Sequence, residues 1–109
     1  MTSLDTYRLL GRSGLRVSPL CLGTMTFGTE FGWGSDEAES RSVFDAYADA
    51  GGNFIDTAIG YTRGTSERFV GRLLNGRRDQ FVVGTKFGVN FRPGDPNAGG
   101  NHKKAIVQS

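Results

Sequence analysis

Two stretches of this sequence combine residue types and spacing that suit proton chemistry. In Asn53-Phe54-Ile55-Asp56-Thr57-Ala58-Ile59-Gly60-Tyr61 a short apolar run ends in a carboxylate, a small-residue turn follows, and a phenol arrives five positions after the acid. Phe81-Val82-Val83-Gly84-Thr85-Lys86 repeats the design with an ammonium at its end. Lys86 is the only lysine before Lys103, in a chain that draws most of its positive charge from arginine. Taken singly, Tyr61 suits an amphipathic loop, Asp56 a turn or cap, and Lys86 a solvated strand end. Taken together, they are expected to meet in space and to handle a proton.

Meeting in space requires elements that bring these positions to one place. Tyr7-Arg8-Leu9-Leu10 and Leu15-Arg16-Val17 alternate around Gly11-Arg12-Ser13-Gly14, the pattern of a small β-hairpin. Pro19 blocks a helix, Leu20 to Gly23 reads as a short strand, and a glycine-rich loop follows from Thr24 to Gly34. Ser35 suits an N-cap, Asp36 and Glu37 place negative charge at the positive end of a helix dipole, and Gly51-Gly52 supplies a stop. Val43, Phe44, Tyr47 and Ala48 recur at helical spacing, so residues 36–50 are predicted to form an amphipathic helix. The strand Asn53 to Asp56 comes next. A second helix is expected from about Ser66 to Leu74, with Phe69, Val70, Leu73 and Leu74 on one face, and a third strand from Gln80 to Thr85. A polar loop containing Pro93 and Pro96 leads to a capped third helix beginning within Asn101 to Ser109.

Strands alternating with helices, apolar without clear period-2 alternation, point to parallel βαβ units covered on both faces. Such sheets bind ligands at the C-terminal strand ends, where Gly23-Thr24, Asp56 and Lys86 all fall. Two βα units and a third strand neither close a barrel nor cover the edges of an open sheet. The chain also stops at Ile106-Val107-Gln108-Ser109 within an apolar helix face, so residues 1–109 read as the N-terminal part of a longer, single-domain protein. Self-association through the open sheet edges is the expectation if they stand alone.

Composition narrows the function classes. With 37% hydrophobic and 22% charged residues the chain reads as globular. Thirteen basic and eleven acidic side chains are scattered, which gives no footprint for nucleic acid. There is no signal-peptide pattern at Met1 to Asp5 and no apolar run near the roughly 20 residues of a spanning helix, so a soluble cytoplasmic protein is expected. The lone Cys21, in an apolar segment, suits a reducing compartment and reads as a small buried hydrophobe. No Rossmann glycine loop, metal-ligand cluster or nucleophile elbow appears.

The assembled residues resemble the aldo-keto reductase superfamily, in its aryl-alcohol-dehydrogenase-like branch. The resemblance runs through Tyr7 to Ser18, Leu22-Gly23-Thr24-Met25-Thr26-Phe27-Gly28, Asn53 to Ala58 with Tyr61 and Ser66-Glu67, Gly84-Thr85-Lys86-Phe87, and Gly99-Gly100-Asn101-His102. It implies a (β/α)8 barrel closed below by the hairpin, and reduction of aldehydes or ketones with NADP(H). In that setting Tyr61 gives a proton to the carbonyl oxygen, Lys86 eases the transfer from a phenol whose free pKa is about 10, and Asp56 holds Lys86 by a charge-assisted hydrogen bond.

The resemblance also assigns the nicotinamide to Gly23, Thr24 and Met25 with Asp56 beside the ribose. It suggests Phe27 and Trp33 as an aromatic wall for a small carbonyl substrate, with packing under a loop as the competing reading of both. The family's catalytic histidine and most of its cofactor pocket belong to later strands, so the 109 residues alone are expected to be inactive. His102 sits at a helix start and reads as a solvated residue of the first turn. The competing functional reading is a non-catalytic, cofactor-sensing or interaction module derived from the same barrel.

Overall fold

The structure is a computed structural model and describes residues 3–109. Strands β1 (Arg8–Leu9) and β2 (Arg16–Val17) pair antiparallel, and the Leu10 N–H donates to the Leu15 carbonyl at 2.9 Å to close the turn between them. This is the predicted hairpin.

The chain then runs through β3 (Leu22–Gly23), α1 (Glu37–Asp49), β4 (Phe54–Asp56), α2 (Thr65–Leu73), β5 (Val82–Gly84) and α3 (Lys103–Gln108). The second sheet is parallel in the order β3-β4-β5, so strands that follow one another in sequence lie side by side. That is the βαβ arrangement the alternating elements require, and among the described residues it does not close on itself.

The core forms where α1 and α2 cover one face of this sheet. Phe44, Ile55 and Leu73 are fully buried, with Val70, Leu74 and Phe81 packed around them. The Phe44 and Phe81 rings lie 5.2 Å apart in a tilted contact, and the Arg77 guanidinium sits 4.7 Å from the Phe44 ring centroid. Arg77 also binds Asp45 at 2.9 Å, which ties the turn after α2 to the second half of α1. No helix of the described residues is long and apolar enough to cross a membrane.

Several local expectations are corrected. The cap of α1 is Asp36, whose carboxylate accepts from the Glu39 N–H at 2.9 Å. Ser35 cannot take that place because its backbone bridges the preceding loop, with its N–H on the Thr26 carbonyl and its carbonyl on the Gly28 N–H, both at 2.7 Å. Val43 is exposed, leaving Phe44 as the one large apolar side chain that α1 buries completely. Tyr47 contributes through its hydroxyl, which lies within 2.8 Å of the Leu20 and Phe54 carbonyls and pins the helix to the starts of two strands. The third parallel strand starts at Val82, since Arg78–Gln80 forms a 3-10 turn. Cys21 is exposed, because β3 is an edge strand and the covered face takes its apolar contact from Leu22.

Candidate active site

The sheet register brings the chemistry-bearing positions level. Asp56 pairs across the sheet with Gly23 on one side and Gly84 on the other, so its carboxylate has no neighbouring side chain at its own height. Beyond Gly84 the chain continues two residues to Lys86 and turns its ammonium back over β4. Lys86 Nζ lies 2.8 Å from Asp56 Oδ1, 2.8 Å from Asp56 Oδ2, 3.0 Å from the Thr57 carbonyl oxygen and 3.0 Å from Tyr61 Oη. The three predicted residues therefore converge. Hydrogen bonding to Asp56 raises the Lys86 pKa, opposed by some desolvation and helped by Tyr61, so the ammonium form is favoured.

Tyr61 reaches this point through an unusual piece of backbone. The 3-10 turn Tyr61–Gly64 holds Thr62 (φ 48°, ψ 42°) and Arg63 (φ 57°, ψ 36°) in the left-handed region, which residues bearing a Cβ rarely adopt. Thr62 offsets the strain with its hydroxyl, which donates to the Phe27 carbonyl at 2.7 Å and accepts from the Ser66 N–H at 3.1 Å. Gly28 (φ 113°) lets the first loop press against this turn, since a Cβ there would stand 2.6 Å from Thr62 Oγ1. Arg63 is exposed, with its guanidinium 5.6 Å from the Phe31 ring centroid. Arg63→Gly is accordingly expected to stabilise the fold by about 0.5–1 kcal/mol, the relief of left-handed strain exceeding the lost cation–π contact and the added chain entropy. Chemical denaturation measures it, and a destabilised variant would show that the turn is not strained.

The remaining candidates divide. Gly23, paired with Asp56 in the sheet, and Met25 are exposed, and a Cβ on Gly23 would meet nothing within 4 Å. Thr24 between them is buried, with its hydroxyl donating to the Asp56 carbonyl at 2.9 Å, so its side chain braces the site from below. Phe27 is 2% exposed and belongs to the hydrophobic core, which corrects its assignment to a pocket wall: the bridge between Phe27 and Ser35 folds the loop back and turns the ring inward. Trp33 is 46% exposed and lies in a tilted contact 5.8 Å from Phe31, the aromatic neighbour that sequence spacing did not single out.

His102 proves to be the cap of α3. Its Nδ1 accepts from the Ala105 N–H at 3.2 Å, which leaves Nε2–H to donate to the Gly99 carbonyl at 3.0 Å, and no triad residue is among its partners. The Cys21 thiol, though exposed, is pushed up, by partial desolvation first and by the Asp56 carboxylate second, with Lys86 pulling the other way. It therefore stays a thiol at neutral pH.

Sequence reasoning missed the polar layer beneath the triad. Thr24, Thr57, Thr62 and Ser66 are all buried and share hydroxyl hydrogen bonds, and the Thr85 hydroxyl donates to Glu67 at 2.6 Å. The only available signal was the repeated threonine beside each strand-end position.

Comparison with known proteins finds relatives in sequence and in structure. The model of the aldo/keto reductase family matches residues 19–109. Norsolorinic acid reductase of Aspergillus flavus is 42% identical, over 96% of this chain and 30% of that protein. An aryl-alcohol dehydrogenase of Pestalotiopsis microspora is 41% identical, over 94% of this chain and 29% of that protein. Among solved structures, an aldo-keto reductase from Bacillus halodurans in its holo form superposes with a TM-score of 0.70 at 40% identity, covering 83% of this chain and 28% of that one. The chain spans about 30% of the length of most of the curated relatives it matches. Its fold is that of the (β/α)8 barrel, represented here by the hairpin and the first βα units.

Proposed function

Because the chain belongs to the aldo/keto reductase family, we propose that the encoded protein is an NADP-dependent oxidoreductase that reduces aldehydes and ketones to alcohols. Residues 1–109 are, in this reading, part of one barrel domain. The observation that carries the proposal is the position of Lys86 Nζ, gripped by both Asp56 oxygens at 2.8 Å and directed onto Tyr61 Oη at 3.0 Å.

An ammonium has three protons to donate. Those of Lys86 go to Asp56, to the Thr57 carbonyl and to the Tyr61 oxygen, which fixes the group in place. Tyr61 Oη thus accepts a charge-assisted hydrogen bond, and its own proton has no acceptor among the described residues. That proton is available to a carbonyl oxygen placed above the strand ends. As it leaves, negative charge develops on the phenol oxygen 3.0 Å from a fixed cation, so the site stabilises the charge that appears in the transition state.

The donor set offers a proton but no hydride, and no side chain supplies one, so the residues present fit a hydride-carrying cofactor. When bound, the nicotinamide supplies the hydride. Gly23 and Met25 would meet it through exposed backbone and side chain, Thr24 would shape the floor beneath it, and Asp56 would face its ribose. Trp33, with Phe31 in place of Phe27, would flank a small carbonyl substrate.

The test is to mix the encoded protein with NADPH and a series of aromatic and aliphatic aldehydes and to follow the loss of reduced-nicotinamide absorbance. Turnover that releases the corresponding alcohol is expected. Tight cofactor binding without turnover on any aldehyde or ketone would instead assign the cofactor-sensing reading, and absence of both would sink the proposal.

A further inference from the structure

We infer that Ser66 and Glu67, adjacent at the head of α2, are positioning residues that set the Tyr61–Lys86–Asp56 geometry by gripping a threonine at the tip of each parallel strand. The inference rests on the proposed function and deepens it. Each strand end carries a threonine next to its functional position: Thr24 follows Gly23, Thr57 follows Asp56, and Thr85 precedes Lys86.

Ser66 Oγ takes the first two. It lies 2.8 Å from Thr24 Oγ1 and 2.9 Å from Thr57 Oγ1, and donates to the Thr24 carbonyl at 2.7 Å. Thr24 Oγ1 donates in turn to the Asp56 carbonyl at 2.9 Å. Glu67 takes the third, its carboxylate accepting from the Thr85 hydroxyl at 2.6 Å, one residue before Lys86. The Ser66 N–H completes the set by binding Thr62 Oγ1 at 3.1 Å, inside the strained turn that presents Tyr61. Two consecutive residues therefore hold every segment that supplies the triad.

An ordinary capping role does not explain the pair. The cap of α2 is Gly64, which makes no side-chain bond, and the Ser66 hydroxyl serves the strands, not its own helix. Nor does simple packing explain it. The Ser66 half is a layer of buried hydroxyls, costly unless every member is bonded, and among the described residues no buried side-chain polar atom lacks a partner; the Glu67–Thr85 bond lies at its exposed rim, where no packing demands it. A fully satisfied network admits one arrangement, whereas apolar contacts tolerate sliding. That difference matters where displacements below an ångström change the rate of a proton transfer.

Replacements at position 67 in the encoded protein test the clamp. Glu67→Ala is expected to lower kcat about tenfold or more, with the KM for NADPH within about twofold, because geometry is lost but not the binding surface. Glu67→Gln keeps an oxygen that accepts from Thr85 and should restore turnover to within about threefold. Thr85→Val should reproduce the Glu67→Ala loss and Thr85→Ser should not, which covers the case where Glu67→Ala fails to fold. Glu37→Ala, which removes only the exposed pair with Arg72, controls for general destabilisation and should leave kcat unchanged.

NMR titration of the Lys86 ammonium gives a readout that needs no turnover, and in Glu67→Ala it should move down toward the ordinary lysine value. Full turnover in Glu67→Ala and Thr85→Val, equal losses in Glu67→Ala and Glu67→Gln, or an unmoved Lys86 titration would each overturn the inference. If the wild-type protein reduces no carbonyl, the proposed function fails, and the Lys86 titration alone then decides on the clamp.

Discussion

Tyr61→Phe in the encoded protein is expected to abolish carbonyl reduction while leaving the fold and the cofactor affinity nearly intact. The substitution deletes one oxygen and keeps the ring. Lys86 loses one of its acceptors but retains Asp56 and the Thr57 carbonyl, so the surrounding geometry has no reason to relax. What disappears is the phenol to which the proposed function gives the proton transfer above the strand ends. A positioned general acid typically contributes roughly a hundredfold to ten-thousandfold, and each tenfold corresponds to about 1.4 kcal/mol of barrier. The expected loss in kcat is of that order, with a Kd for NADPH within about twofold. Steady-state kinetics and a cofactor titration together check it, and turnover within about threefold of wild type would remove Tyr61 from the mechanism.

Lys86→Met should be at least as damaging, by about a thousandfold, for a different reason. It removes the cation that, under the proposed function, stabilises the phenolate, and leaves the Asp56 carboxylate, of the wrong sign, beside it. Because the two residues act through one proton, Tyr61→Phe combined with Lys86→Met should be little worse than the poorer single variant; multiplicative losses would mean that they act separately. Stability should respond far less than activity. The Lys86 and Asp56 side chains are 50% and 42% exposed, and ion pairs of that exposure contribute about 0–1 kcal/mol. The sign of its pH dependence follows from the raised Lys86 pKa. A raised lysine adds stability that is fully present below the unfolded value of about 10.4 and is lost as pH rises through the folded value, so the effect lies wholly in the alkaline range.

The convergence of Asp56, Tyr61 and Lys86 was legible because parallel sheets gather strand ends on one side, and apolar runs ending in a charge mark those ends in one dimension. The backbone that presents Tyr61 was not legible. Thr62 and Arg63 carry no signature of left-handed φ, which glycine or asparagine would have advertised, and their conformation is imposed by Thr62 bonding to a loop residue 35 positions away. Phe27 and Cys21 fail for a shared reason: neither lies in a periodic segment, so burial there depends on how a loop folds back and on which strand sits at an edge. Val43 shows that helical spacing marks a face but not how much of it a sheet of short strands can cover. His102 reads from the sequence as a solvated residue of the first turn, and its capping role was not legible because it depends on the Gly99 carbonyl coming within reach.

The order of the strands has a consequence for how the protein is made. Every partner of the Lys86 ammonium lies between Asp56 and Tyr61, and the clamp residue nearest to it, Glu67, has also been synthesised by then. Since β3, β4 and β5 are neighbours in the sequence in which they leave the ribosome, every contact of the Lys86 ammonium among the described residues is available once Lys86 itself has been made. The segment from Leu22 to Lys86 thus carries the whole hydrogen-bond set of that ammonium and can dock strand by strand as it emerges.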